Sequence, residues 1–287
     1  MTFVVAGVSG HTGKVVADTL LSEGRKVRVI ARDQAKAAPF VAKGAEIAVA
    51  DLTDAAALER AFTGAEGAYV LVPVAFGEAD ARKYQARVVA AMASAARATK
   101  IPHVVVLSSV GAQHPSGTGP IAGLGEAEKV FREIGDTKWT FIRAAYFMEN
   151  LGASLGTLGQ GFIPSFLPKD QVIPMIATVD IGKLAAKSLV EGARETSVIE
   201  LAGPEVSMSQ VAETLAKLTG KPVRVEEAPL SAVVPTFKSF GASDSVASLY
   251  EEMLGGMRSG KVSFEGGHRR VLGTTPIDEV LGGLLAG

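Results

Sequence analysis

The chain contains no cysteine among its 287 residues. Disulfides, thiolate metal sites, cysteine nucleophiles and cysteine-based redox switching are therefore all excluded. Charge of one sign is lacking too: 29 Lys and Arg stand against 30 Asp and Glu. Nothing in that balance favours direct contact with nucleic acid or an anionic membrane. No apolar run approaches the roughly 18 residues of a membrane span, and the chain opens without a basic segment leading into a cleavable apolar one. A cytoplasmic location is expected. The four histidines, His11, His103, His114 and His268, have no metal-ligand spacing, and there is no Gly-x-Ser-x-Gly nucleophile elbow. With 47% hydrophobic and 21% charged residues the composition is that of a globular protein.

What is present is concentrated at the start. The apolar run Phe3-Val4-Val5-Ala6 leads into Gly7-Val8-Ser9-Gly10-His11-Thr12-Gly13 and then into a helical pattern through Val16 and Leu20. Strand, glycine turn and helix together point free backbone N–H groups back at a crevice, where a pyrophosphate can lie. The spacing is G-x-x-G-x-x-G. Gly7 permits the sharp departure from the strand, Gly10 close approach of backbone to phosphate, and Gly13 close packing of helix on sheet. A second strand, Lys26 to Ala31, ends at Arg32, which lies 19 residues after Gly13. An acid at that place binds a ribose 2′-hydroxyl, whereas an arginine accommodates a 2′-phosphate, so NADP(H) is expected over NAD(H). Lys36 is a second, weaker cation for the same phosphate.

Further along, strands and helices alternate, which predicts an α/β fold: a doubly wound parallel sheet of Rossmann type. The third strand, 44–50, ends at Asp51-Leu52; Asp51 either accepts from an adenine amino group, with Leu52 against the ring, or caps the helix that follows. The fourth, 67–72, is stopped by Pro73, which places Val72, Pro73 and the loop to Gly77 beside the nicotinamide. A long helix over 78–99 has an apolar stripe through Tyr84, Val88, Val89 and Met92, belonging either to the core or to a homodimer interface. The fifth strand, 103–107, runs into Ser108-Ser109, whose hydroxyls either donate to a carbonyl or to the cofactor carboxamide, or satisfy local backbone. Residues 114–123, rich in Gly, Pro and Ser, form a candidate lid. Lys129, on the next helix, reaches a ribose hydroxyl or is solvated. After the sixth strand, 139–143, alternation breaks at Tyr146 to Asn150, and glycines keep the chain irregular to Pro174. Residues 1–150 are thus expected to form a dinucleotide-binding domain. Residues 151–287 form mainly a small α/β lobe, with about 178–203 returning to the sheet, and Tyr146, Phe147 and Phe162 edge a pocket for a flat substrate or fill a small core.

The tyrosines limit the chemistry. Carbonyl reduction in short-chain dehydrogenases uses Tyr-x-x-x-Lys, but the residues four places after Tyr69, Tyr84, Tyr146 and Tyr250 are Pro73, Val88, Asn150 and Leu254. Ordinary alcohol dehydrogenation is disfavoured. Hydride transfer to an electron-poor, conjugated acceptor asks less of the protein; cofactor binding without turnover is the other option. Ser108, Lys129 and Tyr146 are the weak catalytic candidates.

The glycine turn, Arg32, Asp51-Leu52, Ser108-Ser109, and the segment from Glu126-Ala127-Glu128-Lys129 to Arg143-Ala144-Ala145-Tyr146-Phe147-Met148-Glu149-Asn150 together resemble the NmrA-like, atypical short-chain dehydrogenase/reductase group, over nearly the whole chain. The likeness is greatest to its NAD(P)H:quinone oxidoreductase and triphenylmethane-dye reductase branch. The resemblance implies an NADP-binding domain, a small C-terminal lobe and a substrate cleft between them. It matches Gly7, Gly10 and Gly13 to the phosphate turn, Arg32 to the 2′-phosphate ligand, Lys129 to a place beside the nicotinamide ribose, and Tyr146 and Asn150 to the cleft lining. The group also includes NAD(P)-binding redox sensors that act through a protein partner. Two functions therefore remain open: an NADPH-dependent reductase of quinone-like or dye-like acceptors, and a non-catalytic sensor.

Overall fold

A computed structural model describes residues 1–287. The first half alternates strictly: β1 Thr2–Val5, α1 His11–Ser22, β2 Lys26–Ala31, α2 Gln34–Val41, β3 Glu46–Val49, α3 Ala55–Phe62, β4 Gly67–Leu71, α4 Ala81–Thr99, β5 His103–Ser109, α5 Ile121–Arg132 and β6 Lys138–Ala144. The second half opens with β7 Tyr146–Phe147, a 3-10 helical run Met148–Gln160, β8 Phe162–Ser165, β9 Ile173–Ile176, α6 Thr178–Glu191 and β10 Ser197–Ala202. It closes with β11 Glu205–Val206, α7 Met208–Thr219, β12 Arg224–Glu227, α8 Val233–Ser239, α9 Asp244–Arg258, β13 Arg269–Leu272 and α10 Ile277–Ala286.

The main sheet has eight strands in the order β13-β10-β6-β5-β4-β1-β2-β3, and every pairing in it is parallel. This is the expected Rossmann-type α/β sheet. Chain direction across it reverses between β1 and β4, and ligands of such sheets bind outside the strand carboxyl ends at that point. Period-two alternation sends Val4 into a core beneath α3, α4 and α5, and Phe3 and Val5 into a second core beneath α1, α2 and α6. The apolar stripe of α4 is core: Val88, Val89 and Met92 are all buried in the first of these clusters.

A third core, including Met148, Ile163, Met175, Leu215 and Leu281, lies in the second half. It is flanked by a three-stranded sheet, β11-β9-β7, and the β12-β8 pair. Two differences from the sequence expectation concern this half. The stretch from Asn150 to Pro174 is ordered as a 3-10 run and two short strands rather than irregular: Gly156 and Gly159 face open space, while Leu151 and Ile163 on either side of the glycines are buried and hold it. And beyond 178–203, β13 also rejoins the main sheet at its edge, beside β10. An edge strand of four residues with two exposed arginines has no apolar alternation to reveal it. No helix is long and apolar enough to cross a membrane.

Candidate functional site

The glycine turn leaves β1 with Gly7 at φ +70°, a conformation that also brings the chain against β4: a Cβ there would lie 2.3 Å from Leu71 Cδ2. A Cβ on Gly13 would lie 2.4 Å from the Gly7 carbonyl oxygen and 2.6 Å from that of Ala6. These two glycines are demanded by the fold. Gly10 is not: its φ is −101°, it is exposed, and the only atom near a Cβ there would be the Gly7 oxygen at 3.4 Å. Room is kept at Gly10 for something outside the chain. Helices α2, α3 and α4 are each capped by an aspartate side chain, Asp33, Asp54 and Asp80. Helix α1 has no side-chain cap, and the N–H groups of His11, Thr12 and Gly13 find no backbone acceptor. An uncapped helix start behind an open glycine suits an anionic phosphate. Ser9 and His11 are exposed beside it, whereas Thr12 is buried and its hydroxyl accepts from the Tyr69 phenol at 2.8 Å.

Arg32 and Lys36 are exposed past the end of β2, and neither forms an ion pair. Asp51, after β3, is half-buried. One of its oxygens accepts from the Thr53 amide at 2.8 Å and the Thr53 hydroxyl at 2.6 Å. These bonds hold its carboxyl below the usual range, helped by the positive charges of Arg32 and Arg87 and opposed by burial. The α3 cap is Asp54, whose side chain accepts from the Ala57 amide; Asp51 instead shapes the turn ahead of it. Leu52 is half-buried against the core beside it.

Next to the turn, at the carboxyl ends of β4, β5 and β6, lies a cavity of about 290 Å³. Leu71, Val72, Leu107, Ser108 and Ser109 form its floor, Ala145, Tyr146, Phe147 and Asn150 one wall, and Tyr250, Met253, Met257 and Val262 the other. None of its sixteen lining residues is Asp, Glu, Lys, Arg or His. A smaller hollow of about 240 Å³ at the far sheet edge, against β3 and α3, includes none of the motif residues. Burial, with Tyr250 close by, pushes the Tyr146 phenol up to about 12 against a weaker opposing pull from Asn150. Burial also raises that of Tyr250. Both stay protonated at neutral pH and keep a hydrogen to donate. The serines do not: the Ser108 hydroxyl donates to Glu128 at 2.6 Å and the Ser109 hydroxyl to the Val110 carbonyl at 3.0 Å.

Three expected members stand elsewhere. Lys129 is exposed and paired with Glu126 at 2.7 Å on the outer face of α5; Gly125 and Leu124, earlier on the helix, turn inward. Phe162 lies in β8 beneath the Arg224 guanidinium, 5.2 Å from its ring centroid, and its place at the cavity is taken by Tyr250. Pro73 follows Val72 half-buried at the end of β4 but is not part of the lining. Residues 114–123 do not form a free lid, since α5 begins at Ile121 and the loop before it is clamped on α9. A Cβ on Gly119 would fall 1.9 Å from the Leu249 carbonyl oxygen, and one on Gly256 would fall 2.4 Å from that of Gly117. Tyr250, Met253 and Met257 were out of reach of sequence motifs, although their spacing along α9 marks one helical face.

The NmrA-like family profile matches residues 1–257. The chain belongs to the NmrA-like family. Among relatives of this NmrA-like protein is an NAD(P)H azoreductase of Xenophilus azovorans, 26% identical over 254 residues that make up 87% of this chain and 85% of the relative. Quinone oxidoreductase 2 of Escherichia coli is 28% identical over 252 residues, 85% of this chain and 84% of the relative. The crystal structure of the NADPH-dependent quinone oxidoreductase of Escherichia coli in complex with NADPH superposes with a TM-score of 0.83 at 25% identity, covering 99% of this chain and all (100%) of that one.

Proposed function

We propose that this NmrA-like protein is an NADPH-dependent reductase that delivers hydride to a flat, conjugated acceptor of quinone or dye type. The observation that carries the reading is an uncapped, open glycine turn adjoining an uncharged, aromatic-edged cavity across the strand carboxyl ends. The likeness to quinone and azo-dye reductases along more than four-fifths of the chain supports it. In this reading the α1 amides, with Ser9, Gly10, His11 and Thr12 around them, take the pyrophosphate. Arg32 takes the 2′-phosphate with help from Lys36, and Asp51 and Leu52 border the adenine. Val72, Ser108, Tyr146 and Asn150 surround the nicotinamide.

When bound, the reduced nicotinamide supplies the hydride. The chain supplies position, dryness and a hydrogen-bond donor. The apolar walls exclude water, and the protonated Tyr146 phenol donates to the acceptor atom on which negative charge develops, with Tyr250 beside it. Since both serine hydrogens are engaged, the tyrosines carry this role. Lys129, turned outward, has no part in it. The test is steady-state NADPH oxidation across neutral quinones and azo or triphenylmethane dyes; turnover with at least one class is expected. Tight NADPH binding without turnover on any acceptor would reject the reductase in favour of a cofactor sensor. Arg32→Ala should weaken NADPH about tenfold to a hundredfold while changing NADH little, as loss of a charged phosphate contact does; equal losses for the two would remove the 2′-phosphate role.

A further inference from the structure

The Ser108 hydroxyl is part of a buried polar row that the cavity chemistry above does not use. Ser108 on β5 is in register with Arg143 on β6, and Arg143 with Glu200 on β10, so their side chains share one face of the sheet. Glu128 reaches this row from α5. It accepts from Arg143 Nε at 3.0 Å on Oε1 and from Arg143 Nη2 at 2.8 Å on Oε2, and Oε1 also takes the Ser108 hydroxyl at 2.6 Å. Arg143 is held from the other side by Glu265 at 2.6 Å, and Glu200 accepts from the Gly266 amide at 2.7 Å. Ser108, Glu128 and Arg143 are 3%, 3% and 6% exposed. A two-pronged guanidinium fixes the carboxylate and leaves its oxygens only able to accept.

A serine whose single hydrogen is spent on such a carboxylate has only lone pairs left to offer. We infer that Ser108 is a hydrogen-bond acceptor in the cavity, set in that state by Glu128 and Arg143, and that it receives the N–H of the nicotinamide carboxamide. The chemistry is selective: a ligand presenting a carbonyl oxygen to Ser108 meets a lone pair, whereas one presenting an amide N–H is welcomed. This gives the carboxamide one orientation, amino group toward β5. The inference rests on the cofactor reading above.

The test is the ratio of dissociation constants for oxidised NADP and for its 3-acetylpyridine analogue, in which a methyl group replaces the carboxamide amino group, measured by calorimetry on the full chain. The natural protein should prefer NADP about tenfold, the worth of one well-placed hydrogen bond. Ser108→Ala and Glu128→Gln should each bring the ratio close to one, the second because an amide can donate to the serine and free its hydrogen to turn. Neither should change affinity for 2′-phospho-ADP-ribose, which has no nicotinamide; that ligand also reports whether each variant is folded. An unchanged ratio in Ser108→Ala, or no preference in the natural protein, overturns the inference alone. Failure of the natural protein to bind either dinucleotide overturns the cofactor reading along with it.

Discussion

Gly10 and Gly13, three residues apart, answer to different demands. Gly13 is pinned by backbone oxygens of the preceding turn, so Gly13→Ala should cost about 1–3 kcal/mol of stability or more, visible in the denaturant midpoint. At Gly10 only ligand space is at stake. Gly10→Ala should cost less than about 1 kcal/mol of stability, the scale of a helix N-cap change, yet weaken NADPH about tenfold or more in a binding titration. Similar stability losses for the two would mean that Gly10 is structural. Tyr146→Phe should lower kcat with quinones about tenfold, on the scale of one hydrogen bond made more strongly in the transition state, and leave NADPH affinity unchanged. Gly7 and Gly13 were legible because local chain geometry decides them. Tyr250 and the Ser108–Glu128 bond were not: the first depends on α9 folding back over β5, the second on a side-chain rotation 20 residues from its partner.

At the scale of elements, regular alternation made the first six strands readable, and the largely buried strands β4 and β5 left apolar runs, Ala68 to Leu71 and Val104 to Leu107. Short, half-exposed pieces escaped. β13 and the 3-10 run are fixed by what they lie against, which no local pattern records. The loop before α5 is the sharper lesson. Its Gly, Pro and Ser content reads as freedom, but Gly119 is small because α9 presses on it, the Gly117 carbonyl packs on Gly256 of α9, and Thr118 between them is fully buried. Gly119 also has φ +57°, so Gly119→Ala meets both strain and collision. Stability should fall by about 2–4 kcal/mol, as for overpacking with an added left-handed backbone penalty, and hydrogen exchange in α9 should speed up. Unaltered exchange there would show that the loop is not clamped.

For the whole molecule, one buried group predicts a loss of stability in acid. His103 opens β5 in the middle of the sheet, buried, with Nε2 at 2.9 Å from the Thr140 hydroxyl and no partner for Nδ1. Burial lowers it from 6.5 to about 4. The unfolded chain therefore binds a proton that the folded one refuses: the stability is whole above pH 6.5 and declines as pH falls toward about 4. The loss amounts to at most about 3 kcal/mol, and denaturation curves across this range should show it, with a shallower decline in His103→Asn. The return of β13 bears on the molecule differently. Gly273 donates to the Ala202 carbonyl at 2.7 Å, and Thr275 donates to Asp180 through amide and hydroxyl, each at 3.0 Å. The second half is thus stitched to the sheet through β10 in its middle and β13 near its finish. A single protease nick between Gly156 and Gly159 should leave two fragments that still migrate as one particle in gel filtration and part only in denaturant, since Arg143 in the first and Glu200 in the second remain neighbouring rungs of one ladder.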